Sequence, residues 1–329
     1  MKWLKCFPSA LAIVLVIGAA PIICSADDSS ARTFAWKRDA GSLALVQDAQ
    51  VVWQFNFGTN ATKPFFHPIA LPGGPVITWD RPADHRWHRA LWFSWKFING
   101  VNYWEEDPRT GAADGRTEWQ SPQVETWPDC SARITLNLTY RPATNAQPVL
   151  TEHREIEISP PDQHGIYHLD WTMKFTAGSQ EVLLDRTPLP GEPGGKPWGG
   201  YGGLSVRLAS NIVERAAATT EEAITFADGS YRGKAAAVDY SGKFSGQEAG
   251  IAMFDSPSNT NTPSPWYVIK NNTMSFFTPA VLCYRPLSIK AGDSLRLRYR
   301  VVVHPGRWDA GQLRREAERF SPARSSKVN

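Results

Sequence analysis

The chain has 329 residues, with 35 Lys and Arg against 32 Asp and Glu, so its net charge is +3. This near balance leaves no basic excess to drive binding to nucleic acid. Hydrophobic residues form 42% of the chain, which is enough to bury a sizeable core.

The N-terminus has the pattern of a secretory signal peptide. Lys2 and Lys5 precede an apolar run over residues 7–23, and small residues follow up to Ala26. We expect cleavage after Ala26, which gives an exported protein, periplasmic or extracellular, with a net charge of +1. The alternative is an uncleaved anchor. No later apolar run is long enough to cross a bilayer, so we expect no membrane span in the mature chain.

Most segments of the mature chain alternate apolar and polar residues with period two, as in antiparallel strands with one wet face. The clearest are residues 43–46, 51–57, 132–140, 151–158, 167–175 and 295–303. The one strong helix candidate covers residues 309–320, with Asp309 as its cap. These patterns predict a mostly β protein: a single large antiparallel β-sandwich domain over residues 27–320, followed by a polar tail at 321–329.

The segment from Trp79 to Trp92 mixes charged and aromatic residues more densely than any other part of the chain. It holds two histidines, three arginines and three tryptophans within fourteen positions. A core strand does not tolerate so many charges, and a solvated loop does not favour so many indoles. The mixture suits a concave surface that binds a polar ligand, so we predict a ligand site here.

His85 and His88 are the predicted proton-transfer residues, because imidazole titrates near neutral pH. His168, which lies beside Asp170 in a predicted strand, is the second choice. His85 and His88 are also weak candidates for a metal site, but the sequence indicates no third ligand. No cofactor is predicted, and a divalent metal remains open. The alternative is one packed histidine and one that is bonded to a carboxylate.

Six further side chains are predicted to contact the ligand. Guanidinium groups offer forked donors, tryptophans stack on sugar rings, and a carboxylate beside an aromatic ring is a common arrangement for holding a sugar. The alternative for the arginines is ion pairing with Asp80 and Asp84. The predicted binding residues are Arg86, Arg89, Trp87, Trp104, Glu105 and His67.

Residues 188–203 form a Gly/Pro-rich segment that also contains Trp198 and Tyr201. Its prolines and glycines exclude the interior of a strand, and its aromatic residues favour a substrate flap over a linker. Two cysteines remain after the leader, Cys130 and Cys283. They either form a disulfide or are two buried thiols, and the sequence does not decide between these.

Residues 63–69, 84–93 and 99–104 resemble a secreted bacterial family described as PmoA-like. This family is labelled methane oxygenase PmoA and is a domain of unknown function. It shows a His-Pro opening, an Asp-His-x-x-His-Arg-x-Leu block and an Asn-Gly-Val-x-Phe-Trp turn. Here Arg86-Trp87 stands where many members have Pro-His, so one histidine of the usual cluster is missing. Residues 286–300 are similar to the closing strands of galactose-mutarotase-like supersandwiches, which implies a carbohydrate-active context.

We therefore expect a secreted carbohydrate-active protein that binds a carbohydrate or another polar small molecule. Its expected activity is hydrolysis, elimination or epimerisation of a sugar by His-mediated acid–base chemistry. One alternative is a non-catalytic carbohydrate-binding module, because aromatic rings and arginines serve a lectin equally well. A second alternative is the metal-dependent oxidase that the family label implies.

Overall fold

The structure, a computed structural model, describes Ile23–Cys24 and residues 33–142 and 146–321. The predicted cleavage site at Ala26 and nearly all of the predicted signal peptide and polar tail lie outside the described residues, and both stay predictions. No helix among the residues described is both long and apolar enough to cross a bilayer.

The described residues form 23 strands and one helix. These are β1 (Ile23–Cys24), β2 (Phe34–Asp39), β3 (Ser42–Gln47), β4 (Gln50–Asn56), β5 (Phe65–Ile69), β6 (Leu91–Ser94), β7 (Phe97–Ile98), β8 (Val101–Asn102), β9 (Gly115–Trp119), β10 (Gln123–Thr126), β11 (Ala132–Pro142), β12 (Leu150–Ile158), β13 (Tyr167–Ala177), β14 (Val182–Asp185), β15 (Gly203–Arg207), β16 (Val213–Thr219), β17 (Ser230–Lys234), β18 (Ala237–Phe244), β19 (Gln247–Asp255), β20 (Pro265–Lys270), β21 (Ser275–Pro279), β22 (Leu287–Ile289), β23 (Ser294–Pro305) and α1 (Ala310–Phe320).

Two large sheets make up the molecule. One has ten strands in the order β1-β2-β3-β4-β5-β6-β15-β21-β20-β17, and the other has nine in the order β10-β11-β12-β13-β23-β19-β18-β16, with β9 also paired to β11. A small sheet of order β22-β14-β7-β8 completes the fold. The prediction of a mostly β protein with a large antiparallel sandwich is confirmed. The finer likeness to galactose-mutarotase-like supersandwiches stays a prediction.

The main hydrophobic core lies between the two large sheets, where the period-two pattern buries one face of each strand. Phe93 of β6 packs 5.2 Å from Phe175 of β13, measured between ring centroids. Trp95 packs 5.0 Å from the same ring. These rings belong to one continuous cluster that contains side chains of both sheets. The sandwich therefore forms as the sequence pattern requires.

The opposite face of the ten-stranded sheet carries a second, smaller hydrophobic cluster. Alternation explains the division, because Phe66 and Phe93 face the main core while their neighbours Phe65 and Trp92 belong to this second cluster. An outer sheet face that is rich in aromatic rings needs a cover or a ligand. Its buried members are Phe65, Trp92, Trp104, Tyr267, Met274, Phe276, Ala280 and Cys283.

Two further sequence-based points concern the C-terminal helix and the pairing of the two cysteines. Asp309 caps α1 by accepting a hydrogen bond from the backbone of Gln312, and the side chain of Gln312 accepts one in return. The predicted helix is therefore confirmed, with Asp309 as its cap. Cys130 and Cys283 are both buried and are not joined to each other by a disulfide.

An ion pair lies inside the sandwich on strand β12, where the alternation alone predicts an apolar face. Arg154 donates hydrogen bonds of 2.6 and 2.9 Å to Glu152, and both side chains are 0% exposed. Tyr140 donates a further hydrogen bond to Glu152. The guanidinium lies 5.5 Å from the ring centroid of Trp171. Each charge is thus compensated within the core, as burial demands.

Glu152→Gln should therefore lower the free energy of unfolding by about 3–5 kcal/mol, because it leaves the buried Arg154 charge uncompensated. Urea unfolding of the two proteins measures this difference. Glu157→Gln on the same strand is the matched control. It breaks an exposed 2.6 Å ion pair with Arg133 and should cost less than about 1 kcal/mol. Equal losses in the two variants would contradict this account of the core.

Candidate functional site

A cavity of about 180 Å³ opens on the outer face of the ten-stranded sheet. Strands β20 and β21 and the turn between them form its floor. Its walls come from loop 79–90, from residues 104–105 after β8 and from the Gly/Pro-rich segment. The lining residues are His85, Trp87, His88, Trp104, Glu105, Trp198, Tyr201, Tyr267, Ile269, Met274 and Phe276. The sequence-predicted block therefore does border a cavity.

Loop 79–90 is a series of tight turns. The amide of His85 donates to the carbonyl of Pro82 at 3.0 Å, and the amide of His88 donates to the carbonyl of His85 at 2.9 Å. Arg81 closes the loop by donating to the carbonyl of His88 at 2.9 Å. As a result the two imidazole rings lie 4.7 Å apart, although the loop is neither helix nor strand.

Strand β15 holds both ends of this loop. The amide of Trp79 donates to the carbonyl of Arg207 at 3.0 Å, and the amide of Arg207 donates to the carbonyl of Ala90 at 2.7 Å. Asp80 and Arg89 also face each other in an antiparallel bridge. The loop is therefore attached to the sheet at its base, and its position is set by a strand more than 110 residues further along the chain.

The side chain of Arg207 reaches the middle of the same loop. Its Nη2 donates to both carboxylate oxygens of Asp84, at 3.0 and 2.9 Å, and to the carbonyl of Thr273 at 2.8 Å. Burial alone would raise the pKa of Asp84, but the hydrogen bonds and positive charge of Arg207, together with the adjacent His85, lower it below its ordinary value. Asp84 is therefore ionised at neutral pH.

His85 sits beside this fixed carboxylate. Its Nδ1 lies 3.0 Å from Oδ2 of Asp84, although the contact is not aligned as a hydrogen bond. The His85 side chain is one-third exposed and lines the cavity. Since Nδ1 faces Asp84, Nε2 is the ring nitrogen that remains for a ligand. An imidazole with an ionised carboxylate 3.0 Å from one ring nitrogen and a cavity beside it resembles a general acid–base pair.

His88 lies deeper and is 4% exposed. It stacks on Phe276 with the ring centroids 5.3 Å apart, and its Nδ1 is buried without a hydrogen-bond partner. Burial, helped by the nearby positive charges of Arg207 and Lys63, lowers the pKa of His88 far below its ordinary value. His88 is therefore neutral at physiological pH and cannot supply a proton as readily as the sequence analysis expects.

Glu105 provides the fixed negative charge of the cavity. It forms an ion pair with Lys96 and accepts a hydrogen bond from the Tyr201 hydroxyl. Burial would raise its pKa, but Lys96, Tyr201 and Asn102 together hold the pKa of Glu105 below its ordinary range. The carboxylate is therefore ionised and held in place on the wall of the cavity.

Aromatic rings supply most of the remaining wall. Trp104 is buried and packs 5.3 Å from Tyr201, measured between ring centroids. Trp198 is 55% exposed and also lines the cavity. An exposed indole beside a cavity gives a ligand an apolar surface on which to stack.

The Gly/Pro-rich segment is held down at several points. Arg186 donates hydrogen bonds of 2.6 and 2.9 Å to Glu192, and Arg232 donates to the carbonyls of Pro197 and Gly199 at 2.8 and 2.9 Å. Gly200 has φ +85° and leaves no room for a side chain, because a Cβ there would lie 2.7 Å from the sulfur of Cys283. The segment thus covers one side of the cavity in a fixed conformation.

The two predicted ligand arginines do not line the cavity. Arg89 is buried, with its Nη2 3.4 Å from Glu106 and its Nη1 3.8 Å from Asp80. Arg86 is exposed and lies outside the cavity. Acidic neighbours hold Arg89 at the base of the loop, so ion pairing, the alternative for the arginines, applies to this residue.

His67 and His168 also lie away from the cavity. His67 is on β5, where its Nδ1 is 3.1 Å from the hydroxyl of Thr78, and burial lowers its pKa to about 4. His168 is on β13, opposite Val302, which packs with the helix on the outer face of the nine-stranded sheet. Alternation places His168 on the other side of the sandwich, so the suggested pairing of His168 with Asp170 serves no part of this site. Asp170 instead pairs with Arg300.

Several site residues are absent from the sequence-based set, namely Arg207, Lys96, Tyr267, Met274 and Phe276. Only Arg207 carries a signal, since it is a charged residue at the end of an apolar strand. Among the described residues, no group of three or more His, Cys, Asp or Glu side chains is arranged to hold a metal ion, so no ligand set joins His85 and His88.

Comparison with known proteins gives a family but no activity. Residues 42–318 match DUF6807, described as a family of unknown function. A search of the curated proteins finds no match. Among solved structures, the chain is similar to the galactosidase domain of alpha-galactosidase-sucrose kinase, AgaSK, with 8% identity and a TM-score of 0.38. That match covers 83% of this chain and 41% of that one, and likeness at this level supports no functional argument.

Lowering the pH from 7.5 to 5.0 should reduce the free energy of unfolding, because His67 and His88 resist protonation in the fold and accept protons once unfolded. The unfolded chain then binds more protons, and stability falls as the pH drops below about 6.5. Urea unfolding at several pH values should show a shallower fall in His67→Asn. Exposed His153→Asn is the control, and an unchanged slope in His67→Asn would contradict this prediction.

Proposed function

The chain belongs to the DUF6807 family of unknown function, and we propose that it is an enzyme that binds a sugar ring in the aromatic cavity and transfers a proton through His85. The observation that carries this proposal is that His85 lines that cavity while its Nδ1 lies 3.0 Å from the carboxylate of Asp84. An ionised Asp84 orients the imidazole and stabilises the imidazolium that forms during transfer.

The rest of the cavity matches the surface of a sugar. The apolar C–H faces of a pyranose stack on indole rings such as Trp87, Trp104 and Trp198. Sugar hydroxyls donate hydrogen bonds to a fixed carboxylate, which Glu105 provides. A few convergent polar groups in a mainly aromatic cavity are the usual composition of a small-molecule site.

The number of carboxylates that line the cavity bears on the type of reaction. A glycosidase of the common kind needs two carboxylic groups, one of them protonated. Glu105 is the one carboxylate that lines the cavity among the described residues, and Lys96 and Tyr201 keep it ionised. Proton transfer by His85 therefore favours elimination or epimerisation at a sugar carbon over hydrolysis by a carboxylate pair.

In such a reaction Nε2 of His85 accepts the proton of a C–H bond next to a carbonyl or carboxyl group of the sugar, and that group takes up the electron pair of the broken bond. In an elimination, this pair then forms a C=C bond as a leaving group departs from the adjacent carbon with its own bonding electrons. In an epimerisation, the intermediate turns over in the cavity and the imidazolium returns the proton to the opposite face of the same carbon. Asp84 balances the charge of the imidazolium in either case. Glu105 orients the hydroxyls and keeps its own charge throughout.

His85→Gln should lower turnover by about 10²–10⁴-fold while sugar binding persists, since it removes the proton-transfer group and keeps a polar side chain. Binding is followed by tryptophan fluorescence and turnover by NMR of the products, across neutral monosaccharides, sugar acids and disaccharides. His153→Gln, on the exposed face of β12, is the matched control. Binding without product formation in the parent protein would show a carbohydrate-binding module instead of an enzyme.

Trp198→Ala should weaken sugar binding by roughly 2–10-fold, because it removes an exposed stacking surface worth about 0.5–1.5 kcal/mol. Tyr284→Ala is the control, since Tyr284 is a similarly exposed ring that does not line the cavity. The same fluorescence titration measures both variants. Unchanged affinity in Trp198→Ala would remove this residue from the binding surface.

A further inference from the structure

A second cavity of about 350 Å³ adjoins the first. Met274 lines both, so its side chain forms the boundary between them. Asp84 lines the second cavity while its neighbour His85 lines the first. The proposed proton-transfer pair therefore lies at the junction. The lining residues are Trp79, Ala83, Asp84, Leu208, Ala209, Ser210, Ile212, Arg215, Asn272, Thr273, Met274 and Ser275.

We propose that the second cavity binds an acidic sugar unit, so that the substrate has two linked units and spans the junction at Met274. This inference rests on the proposed function, because it assumes that the first cavity holds a sugar ring. It assigns the substrate class: an acidic disaccharide or the end of a longer acidic glycan. The reacting bond then lies next to His85.

The charge of Arg215 carries the acidic part of the inference. Its Nη1 donates hydrogen bonds to the carbonyls of Asn271 and Met274 and to the hydroxyl of Ser275, at 2.6, 3.5 and 3.2 Å. Among the described residues, Arg215 takes part in no ion pair. The adjacent Glu214 pairs with Lys243 and Arg307 instead. The guanidinium thus brings an uncompensated positive charge to the wall of the second cavity, and its remaining N–H groups suit a carboxylate.

The other charges around this cavity cancel. Asp84 is the one acidic residue that lines it among the residues described, and Arg207 binds both of its oxygens. A ligand carboxylate therefore meets the positive Arg215 without an equal negative charge beside it. Trp79 adds an apolar surface, and Ser210, Asn272 and Thr273 add small polar groups. These features favour a sugar acid over a neutral sugar or an apolar group.

The test compares pairs of ligands that differ only in the carboxyl group. Aldobiouronic acids, in which a uronic acid is linked to a neutral sugar, are titrated beside the same disaccharides after reduction of the carboxyl to an alcohol. The constituent monosaccharides are titrated separately. We expect each acid to bind at least about tenfold more tightly than its reduced partner, as one charge-assisted hydrogen bond allows.

Two variants localise this preference. Arg215→Gln keeps a side-chain donor for the loop carbonyls but removes the charge, and it should abolish the preference without changing the binding of the neutral monosaccharides. Ser210→Trp, at an exposed position, fills the second cavity and should weaken the binding of the disaccharides but not that of the neutral monosaccharides. Arg285→Gln is the control, because it removes an exposed arginine that lines neither cavity. Circular dichroism establishes that each variant is folded.

Each outcome decides the matter. Loss of the acid preference in Arg215→Gln, with weaker disaccharide binding in Ser210→Trp and no change in Arg285→Gln, supports the second subsite. Equal binding of acids and reduced partners by the parent protein, or a preference that survives both variants, overturns it and leaves the proposed function standing. If no sugar binds, monosaccharides included, the proposed function fails and this inference fails with it.

Discussion

The site depends on one residue of the sheet, Arg207, which holds loop 79–90 at three points. Its backbone bonds Trp79 at one end and Ala90 at the other, and its guanidinium binds Asp84 in the middle. Side chains on a surface loop are normally positioned less precisely than those on a strand, because the loop backbone is more mobile. Here a strand residue fixes both ends and the tip, so the position of His85 is set by the sheet.

The charged groups around the first cavity and its aromatic rings have different surroundings. Each carboxylate near the cavity has its own cation, Arg207 for Asp84 and Lys96 for Glu105, so both stay ionised although they are partly buried. His88, in contrast, is enclosed by rings and stays neutral. This division gives the cavity one partly exposed imidazole, one fixed carboxylate and a stacking surface. The proposed acid–base chemistry uses these three features.

Much of this architecture could be predicted from the sequence. Period-two alternation predicts the strands, because each strand buries one face, and the crowded block before residue 93 indicates a cavity because no other environment suits its composition. What alternation cannot give is the assignment of individual charges. Arg89 forms a structural ion pair, and Glu152 and Arg154 lie in the core, because the contacts that form only in the folded chain decide where a charge can be buried.

The histidines are a second example of what the sequence pattern alone cannot assign. His85, His67 and His168 are all site candidates in the sequence, yet of the three only His85 lines the cavity, because strand order and sheet face place His168 on the other side of the sandwich. The role of Arg207 depends on a contact across 123 positions of the chain, which no local pattern reveals. The export signal and the PmoA-like resemblance stay predictions.

A double-mutant cycle on turnover tests most directly whether Asp84 and His85 act as one unit. Rates are measured for the parent protein, Asp84→Asn, His85→Gln and the double variant on one substrate. If Asp84 acts by orienting His85, Asp84→Asn slows the parent protein but adds nothing to the loss in His85→Gln. Losses that multiply in the double variant would show that the two side chains act independently, and would contradict the mechanism proposed for this site.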